Sequence, residues 1–492
     1  MIQTSMNKSS EARIDFCSFR DPSGIVLKYN GRILRLIRKE HEGHLRKILE
    51  NPQICNFIDD RVVPASKIVP ESEFVQLVQE LPSIDHAEYS EFSICVEHEL
   101  IPFPSYPYEW APEMLHCAAQ LTVELCLKLS AQNLGIKDAS PYNVLFLGAN
   151  PIFVDFLSFE ARDPLDHVWL PYAQFIRTFI LPLVVYRYNK TPLSQIFFNR
   201  SDGLELEEIY AMTSRLNLIK PGIFTLVTLP MLFSRLAGLV REPKIYQKQS
   251  ASSVDLAKFI LERIFKGLKK HLNNFKPKPK SSKWTNYFAK EESYSFEEFE
   301  RKERIVLGFL RRSKPERVLD IGCNLGHFSI LAAKNNASVV AIDSDAAVIS
   351  ALWCKARKDS LDILPLVVDI CRPSPSTGWC NGEHLSFLQR SKGAFDTVMM
   401  LAVVHHLTVT SRIPLEEIAK MCAEIAVRTL IIEFISPEDP LFCKIVRGRD
   451  ALYAHLTMGY FENIFGKYFT LIAKEQSGKH RWIYYYEKKR EL

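Results

Sequence analysis

The chain has 492 residues, 47% of them hydrophobic and 11% aromatic, the make-up of a folded protein too long for a single ordinary core. Its formal net charge of +5 is small for that length, so nothing in the charge balance asks for a nucleic-acid partner. Eleven cysteines are scattered without a Cys-x-x-Cys pair, and Cys117, Cys126 and Cys422 fall on apolar helical faces, which reads as reduced thiols in a cytoplasm with no zinc or other metal site.

Residues 1–20 start polar and charged, lack an apolar signal core and are expected to be disordered. Ser23-Gly24-Ile-Val-Leu-Lys28 and Asn30-Gly31-Arg32 read as a strand pair around a turn. Ala173–Tyr186 and Pro221–Val240 are strongly apolar, but Arg177, Pro182, Pro230 and Arg235 interrupt them. A spanning helix wants about 20 apolar residues with few charges. Buried helices are therefore expected and no transmembrane segment, with peripheral contact to a membrane surface as the alternative. Val254–Leu272 has apolar residues at 256, 259, 260, 264, 265 and 268 with lysines between them, an amphipathic helix with a solvated charged face. Phe-Lys-Pro-Lys-Pro-Lys-Ser-Ser-Lys at 275–283 is a linker by composition.

Within the first half, Lys137-Asp138-Ala-Ser-Pro-Tyr-Asn143 leads into an apolar hairpin that ends in Asp155-Phe156. In such a layout the first carboxylate takes a hydroxyl proton, while the amide and the second carboxylate supply the hard oxygens that magnesium prefers. The stretch resembles the kinase-like fold of aminoglycoside phosphotransferases and lipopolysaccharide kinases. It departs from that pattern where Ile136-Lys137 replaces the usual His-Arg or His-Gly, where Leu157 replaces a glycine, and in lacking a glycine-rich phosphate loop. The bland reading is a hairpin in which Asp138 and Asn143 cap turns. The expectation is an α+β kinase-like domain over 21–190 with a helical extension over 191–274, binding ATP and magnesium poorly.

Past the linker, Trp284, Tyr287 and Tyr294 precede a helix over Phe296–Leu310, expected to pack on a sheet edge and help cover a ligand. Then comes Val318-Leu-Asp320-Ile-Gly322-Cys323-Asn324-Leu-Gly326, an apolar run, a turn and a helical pattern. Glycine lets a ligand lie against bare backbone and tolerates positive φ. A phosphate would want this helix start free of anions, whereas Asp320 suits an ammonium group. The next run, Ser338–Ile342, ends in Asp343-Ser344, placed to take both ribose hydroxyls. Leu364–Val368 ends in Asp369-Ile370, an acceptor for an adenine amine. Phe395–Leu401 leads into His405-His406, and Thr429–Ile432 ends in Glu433. Apolar runs alternating with helices, with polar residues at their C-terminal ends, describe a doubly wound α/β sheet with its crevice along one edge. An ammonium group, ribose hydroxyls and adenine together describe S-adenosylmethionine. The expected cofactor set is Asp320, Gly322, Cys323, Asn324, Gly326, Asp343, Ser344, Asp369, Ile370 and Leu401.

Residues 300–492 resemble the class I S-adenosylmethionine-dependent methyltransferases, with Asn324 in place of the middle motif glycine. The resemblance implies a Rossmann-like, seven-stranded sheet whose last strand is antiparallel, over a domain spanning 284–492. Tyr468–Ala473 and Trp482–Glu487 fit the final hairpin. Phe103-Pro-Ser-Tyr-Pro-Tyr-Glu-Trp110, Tyr172-x-Gln174-Phe175, Trp379-x-Asn381-x-Glu383 and Ile431-Ile-Glu-Phe434 are similar over nearly the whole chain to the bacterial proteins related to nodulation protein NoeA. That implies a methyltransferase fused to a kinase-like domain, acting on glycans or other secreted metabolites.

Histidine is the natural base near neutral pH for a hydroxyl acceptor. Of the pair after the fourth strand, His405 is expected to act, with Glu433 orienting it or binding the acceptor. Trp379, Asn381 and Glu383, in a long insertion after the third strand, suit a sugar or polyol, though an anchoring Trp at a helix start explains them equally. No Asn/Asp-Pro-Pro-Tyr/Phe motif appears, which disfavours nucleobase or glutamine N-methylation. The leading expectation is O-methylation of a small molecule or glycan. A bifunctional kinase–methyltransferase and a non-catalytic kinase-like scaffold are the alternatives.

Overall fold

The computed structural model describes residues 13–14, 18, 20–80, 91–237, 250–278 and 296–489. Most of the N-terminal stretch expected to be disordered, the second half of the linker, and Trp284, Tyr287 and Tyr294 lie outside them.

The first half opens on an antiparallel sheet of β1 (Arg13–Ile14), β2 (Gly24–Tyr29), β3 (Arg32–Arg38), β4 (Ser66–Ile68) and β5 (Phe92–His98), in the order β1-β2-β3-β5-β4. The expected strand pair is there: Asn30 (φ 49°) and Gly31 (φ 79°) turn the β2–β3 hairpin, both in the left-handed region that a tight two-residue hairpin turn demands. A helix over Pro112–Ser130 follows and buries most of its length. The chain then makes two short antiparallel pairs, β6 (Leu134–Ile136) with β9 (Phe159–Ala161), and β7 (Val144–Leu147) with β8 (Asn150–Phe153). The amphipathic helix Val254–Asn274 lies against Pro112–Ser130, with Leu261, Phe265, Leu268 and Leu272 buried.

The apolar stretch from Pro221 is only half buried. Ile223 and Val227 enter the core, while Leu232 and Phe233 stay exposed. Among the described residues no helix is long and apolar enough to cross a membrane.

The second half holds a seven-stranded sheet of β10 (Arg317–Ile321), β11 (Ser338–Asp343), β12 (Ile363–Val367), β13 (Phe395–Met400), β14 (Ala426–Ile435), β15 (Phe469–Gly478) and β16 (Arg481–Lys488). Their order is β12-β11-β10-β13-β14-β16-β15. The first five are mutually parallel, and β16 runs antiparallel to both β14 and β15. Strands covered on both faces read as continuous apolar runs, and Val318, Leu319 and Ile321 are fully buried accordingly. The order reverses between β10 and β13, which opens a crevice at the carboxyl ends of those strands. The helix Phe296–Ser313 packs beside β15 and β16 through Ile305, Phe309 and Leu310, as its apolar spacing predicts.

The two halves share one continuous hydrophobic core. Trp353 donates its indole N–H to the Ala149 carbonyl at 3.1 Å, and the Phe103 ring sits 5.7 Å from Phe387 and 5.5 Å from Phe395. At the centre of this contact Arg390 pairs with Glu109, both side chains almost completely buried.

Candidate active site

The crevice starts with the turn after β10. Gly322 (φ 74°), Asn324 (φ 51°) and Gly326 (φ 74°) take the left-handed region in alternation. A Cβ at Gly322 would collide with the Val403 side chain, and one at Gly326 with Leu352, so both glycines are required by space as well as by φ. The backbone N–H groups of Gly322 and Cys323 both donate to the Ile342 carbonyl, which draws the turn onto the end of β11.

There Asp343 fixes the geometry. Its two oxygens accept the N–H of Asn324 at 3.0 Å and of Asp345 at 2.9 Å, holding the carboxylate at the mouth of the turn. Burial raises its pKa above the usual carboxylate range despite those bonds. Asp320 is buried more deeply, accepts the Ser329 hydroxyl at 2.6 Å and is pushed up to about 6, chiefly by burial. A buried carboxylate with one hydroxyl donor is an electrostatic demand for a cation.

These groups line a cavity of about 300 Å³ with Lys302, His327, Phe328, Val403, His406, Leu407 and Thr410. Nine of the ten expected cofactor residues, Asp320, Gly322, Cys323, Asn324, Asp343, Ser344, Asp369, Ile370 and Leu401, line it. Gly326 does not; it serves the packing behind the turn. Asp369 accepts the N–H of Cys371 at 3.0 Å and pairs with the exposed Arg372. The lining suits S-adenosylmethionine chemically: Asp320 would take its ammonium group, Asp343 its vicinal hydroxyls, and Ile342, Ile370 and Leu401 its flat base.

The histidine pair divides differently from expectation. His406 lines the crevice, at the start of a π-helical turn over His406–Thr410. Its neighbour His405 turns away into a small apolar recess between Val404, Phe434, Phe442 and Leu456, and burial depresses its basicity far below the ordinary value. The rings lie 4.2 Å apart, centroid to centroid. Successive side chains on a helical turn point about 100° apart, so only one of the two can face the ligand.

Glu433 also departs from expectation. Its carboxylate accepts from the Lys302 ammonium at 2.7 Å, with both side chains almost fully buried. It is Lys302, from the Phe296–Ser313 helix, that reaches the crevice, 5.2 Å from the Phe328 ring centroid. Sequence reasoning missed Lys302, because a lysine in an amphipathic helix reads as solvated. Ala402 was missed as well: it lines the crevice with φ 58°, a strained backbone for a residue with a Cβ.

Trp379, Asn381 and Glu383 are not brought to the crevice. Trp379 is 62% exposed, and the insertion folds against the first half instead. Glu383 pairs with Arg20 at 2.6 Å, and the next residue, His384, sits 4.7 Å from the Tyr106 ring and 4.8 Å from the Tyr142 ring. Ser374 donates to Glu109. Four partners on the first half hold this segment, so the structure assigns it an anchoring part rather than the acceptor contact expected for it.

Asp138, Asn143 and Asp155 do converge. The Asn143 amide donates to the Asp138 carbonyl at 3.1 Å, and the Val154 N–H to the Asn143 carbonyl at 2.8 Å. The Asp138 carboxylate accepts from the Ser140 N–H and, at 2.6 Å, from the Gln174 amide. Asp155, half-buried, lies 3.6 Å from the Arg35 guanidinium, and desolvation raises its pKa above the ordinary carboxylate range. Among the described residues no group of three or more His, Cys, Asp or Glu side chains is arranged to hold a metal ion.

A family model described as a methyltransferase domain matches residues 294–442. Over 481 residues, 96% of this chain and 95% of the relative, the sequence is 27% identical to nodulation protein NoeA of Rhizobium meliloti (strain 1021). Similar solved structures include the N-methyltransferase NodS of Bradyrhizobium japonicum WM9 in complex with S-adenosyl-L-homocysteine, at 14% identity over 42% of this chain and 97% of that one, with a TM-score of 0.31. Another is the bifunctional kinase-methyltransferase WbdD, at 19% identity over 39% of each chain, with a TM-score of 0.28. A methyltransferase domain runs through the very strands whose ends build this crevice, and the chain is a class I S-adenosylmethionine-dependent methyltransferase.

Proposed function

We propose that the enzyme methylates a hydroxyl group of a small molecule or glycan, with His406 as the base. S-adenosylmethionine supplies a methyl group already activated by its sulfonium. What remains for the protein is to align the acceptor and remove its proton. The observation that carries the reading is His406 itself, an imidazole on the crevice wall whose basicity burial lowers, so that it is neutral and able to accept a proton at pH 7. Asp320 and Asp343 would hold the cofactor, and the Lys302–Glu433 pair would keep the covering helix closed on it. The similarity to NoeA over nearly the full length favours an acceptor outside central metabolism, and a glycan fits that. His406→Ala should lower turnover by about 10²–10⁴-fold with cofactor affinity unchanged. A silent His406→Ala would point to an acceptor that needs no base. Identifying the product labelled from methyl-labelled cofactor in a cell extract would name the acceptor.

For the first half we propose a kinase-like fold that no longer transfers phosphate. Asp138 is occupied by Ser140 and Gln174, and a guanidinium stands beside Asp155 where a magnesium ion would need the carboxylate. Its part is to anchor the insertion carrying Glu383 and His384.

A further inference from the structure

The outer side of the Phe296–Ser313 helix carries a second cavity, of about 370 Å³, walled by Arg301, Arg304 and Arg312 on the helix and by Ala473 and Glu475 on the edge strand β15. Its floor is Ile305, Gly308 and Phe309. Arg304, Gly308 and Arg312 are four residues apart and so lie on one face. Gly308 has no neighbour near the place of a Cβ, which leaves open backbone between the two guanidinium groups. Among the described residues none of the three arginines has a carboxylate partner; Arg312 only rests on the Tyr485 ring, 5.4 Å from its centroid.

The register ties this groove to the active site. Glu475 pairs with Ile483, which pairs with Glu433, so Glu475 lies level with the Lys302–Glu433 pair. Arg301 directly precedes Lys302 in the chain. The groove therefore begins beside the crevice and runs about 16 Å down the helix from Arg301 to Arg312.

We propose that this groove binds a phosphoryl group of the methyl acceptor, a phosphate or diphosphate ester, and so sets which acceptors reach the crevice. The inference rests on the proposed acceptor methylation. Three cations against one Glu475 carboxylate leave a surplus that a monoanion would not offset, and planar guanidinium forks match phosphoryl oxygens in pairs. The Glu475 carboxylate repels an anion at the upper end, so the phosphoryl group sits between Arg304 and Arg312. The diphosphate of a nucleotide-activated sugar and that of a lipid-linked sugar present the same chemistry here.

Isothermal titration of the full chain with inorganic pyrophosphate tests the groove. The wild-type chain should bind it, and more weakly as salt rises, since exposed charges are screened. The double variant Arg304→Ala/Arg312→Ala should weaken binding at least about tenfold, from the loss of charge-assisted bonds. Glu475→Gln should tighten it, a gain that misfolding cannot produce. Cofactor affinity should be the same in all three proteins, which separates this test from that of the crevice. Uridine diphosphate in one arm, and vesicles carrying an isoprenyl diphosphate in another, assign the source by which of them loses affinity in the double variant. No pyrophosphate binding by the wild-type chain, or equal binding by the double variant, overturns the proposal even if His406→Ala abolishes methylation. If pyrophosphate binds as described and His406→Ala is silent, the groove stands and the base assignment falls.

Discussion

Asp320 sits at the end of β10 with its carboxyl raised to about 6, chiefly by burial, and this one group makes cofactor binding sensitive to pH. Above that value it is ionised and would meet the cofactor's ammonium group as a charge pair. Below it, the carboxyl must lose its proton before pairing, so affinity should fall by up to about tenfold per pH unit beneath pH 6. A calorimetric series from about pH 5 to 8 checks this, and a flat profile contradicts it. In the free protein the sign is opposite. The folded state holds the Asp320 proton more tightly than the unfolded chain, so the group's contribution to stability is lost as pH rises from about 4 through 6. Asp320 and Asp343 were legible in the sequence because a strand that ends in a carboxylate, followed by a glycine turn or a helix, fixes where that carboxylate points. The choice between His405 and His406 was not legible. Both follow the strand, and only the rotation of the π-helical turn decides which ring meets the ligand.

Among the elements, the Phe296–Ser313 helix has the most to tell. Its apolar spacing announced where it would pack, yet it gave no sign that one of its charged residues goes inward. Lys302 becomes buried only because Glu433, 131 residues later, waits on the sheet. Such a pair is weak support for stability but costly to halve. Lys302→Met should therefore destabilise the fold by about 3–5 kcal/mol by taking the ammonium group away from the buried Glu433 carboxylate, and Lys302→Met/Glu433→Leu should recover most of that loss. Denaturant melts of the three proteins check this; a double variant no more stable than the single one would mean the pair is worth more than its desolvation. The insertion from Ser374 to His384 shows the opposite limit. Its composition suited a sugar, but its partners, Arg20, Tyr106, Glu109 and Tyr142, come from a distant part of the chain that no local pattern reveals.

At the scale of the whole molecule, the two halves are joined by shared core and by the buried Arg390–Glu109 pair, so the first half acts on the enzyme through packing. If its loop cluster is structural, ATP with magnesium should shift the melting midpoint by no more than about a degree, whereas a ligand at a hundred times its dissociation constant stabilises by about 2.7 kcal/mol. A magnesium-dependent shift that disappears in Asp155→Ala would restore a bifunctional enzyme. Calorimetric titration of the cofactor into the wild-type chain and Asp343→Ala decides whether the β10–β13 crevice holds S-adenosylmethionine through its strand-end carboxylates. Losing two charge-assisted bonds, each about 1.5–3 kcal/mol, should weaken binding at least about a hundredfold in a variant that stays folded. Unchanged affinity in the folded Asp343→Ala protein would contradict the assignment.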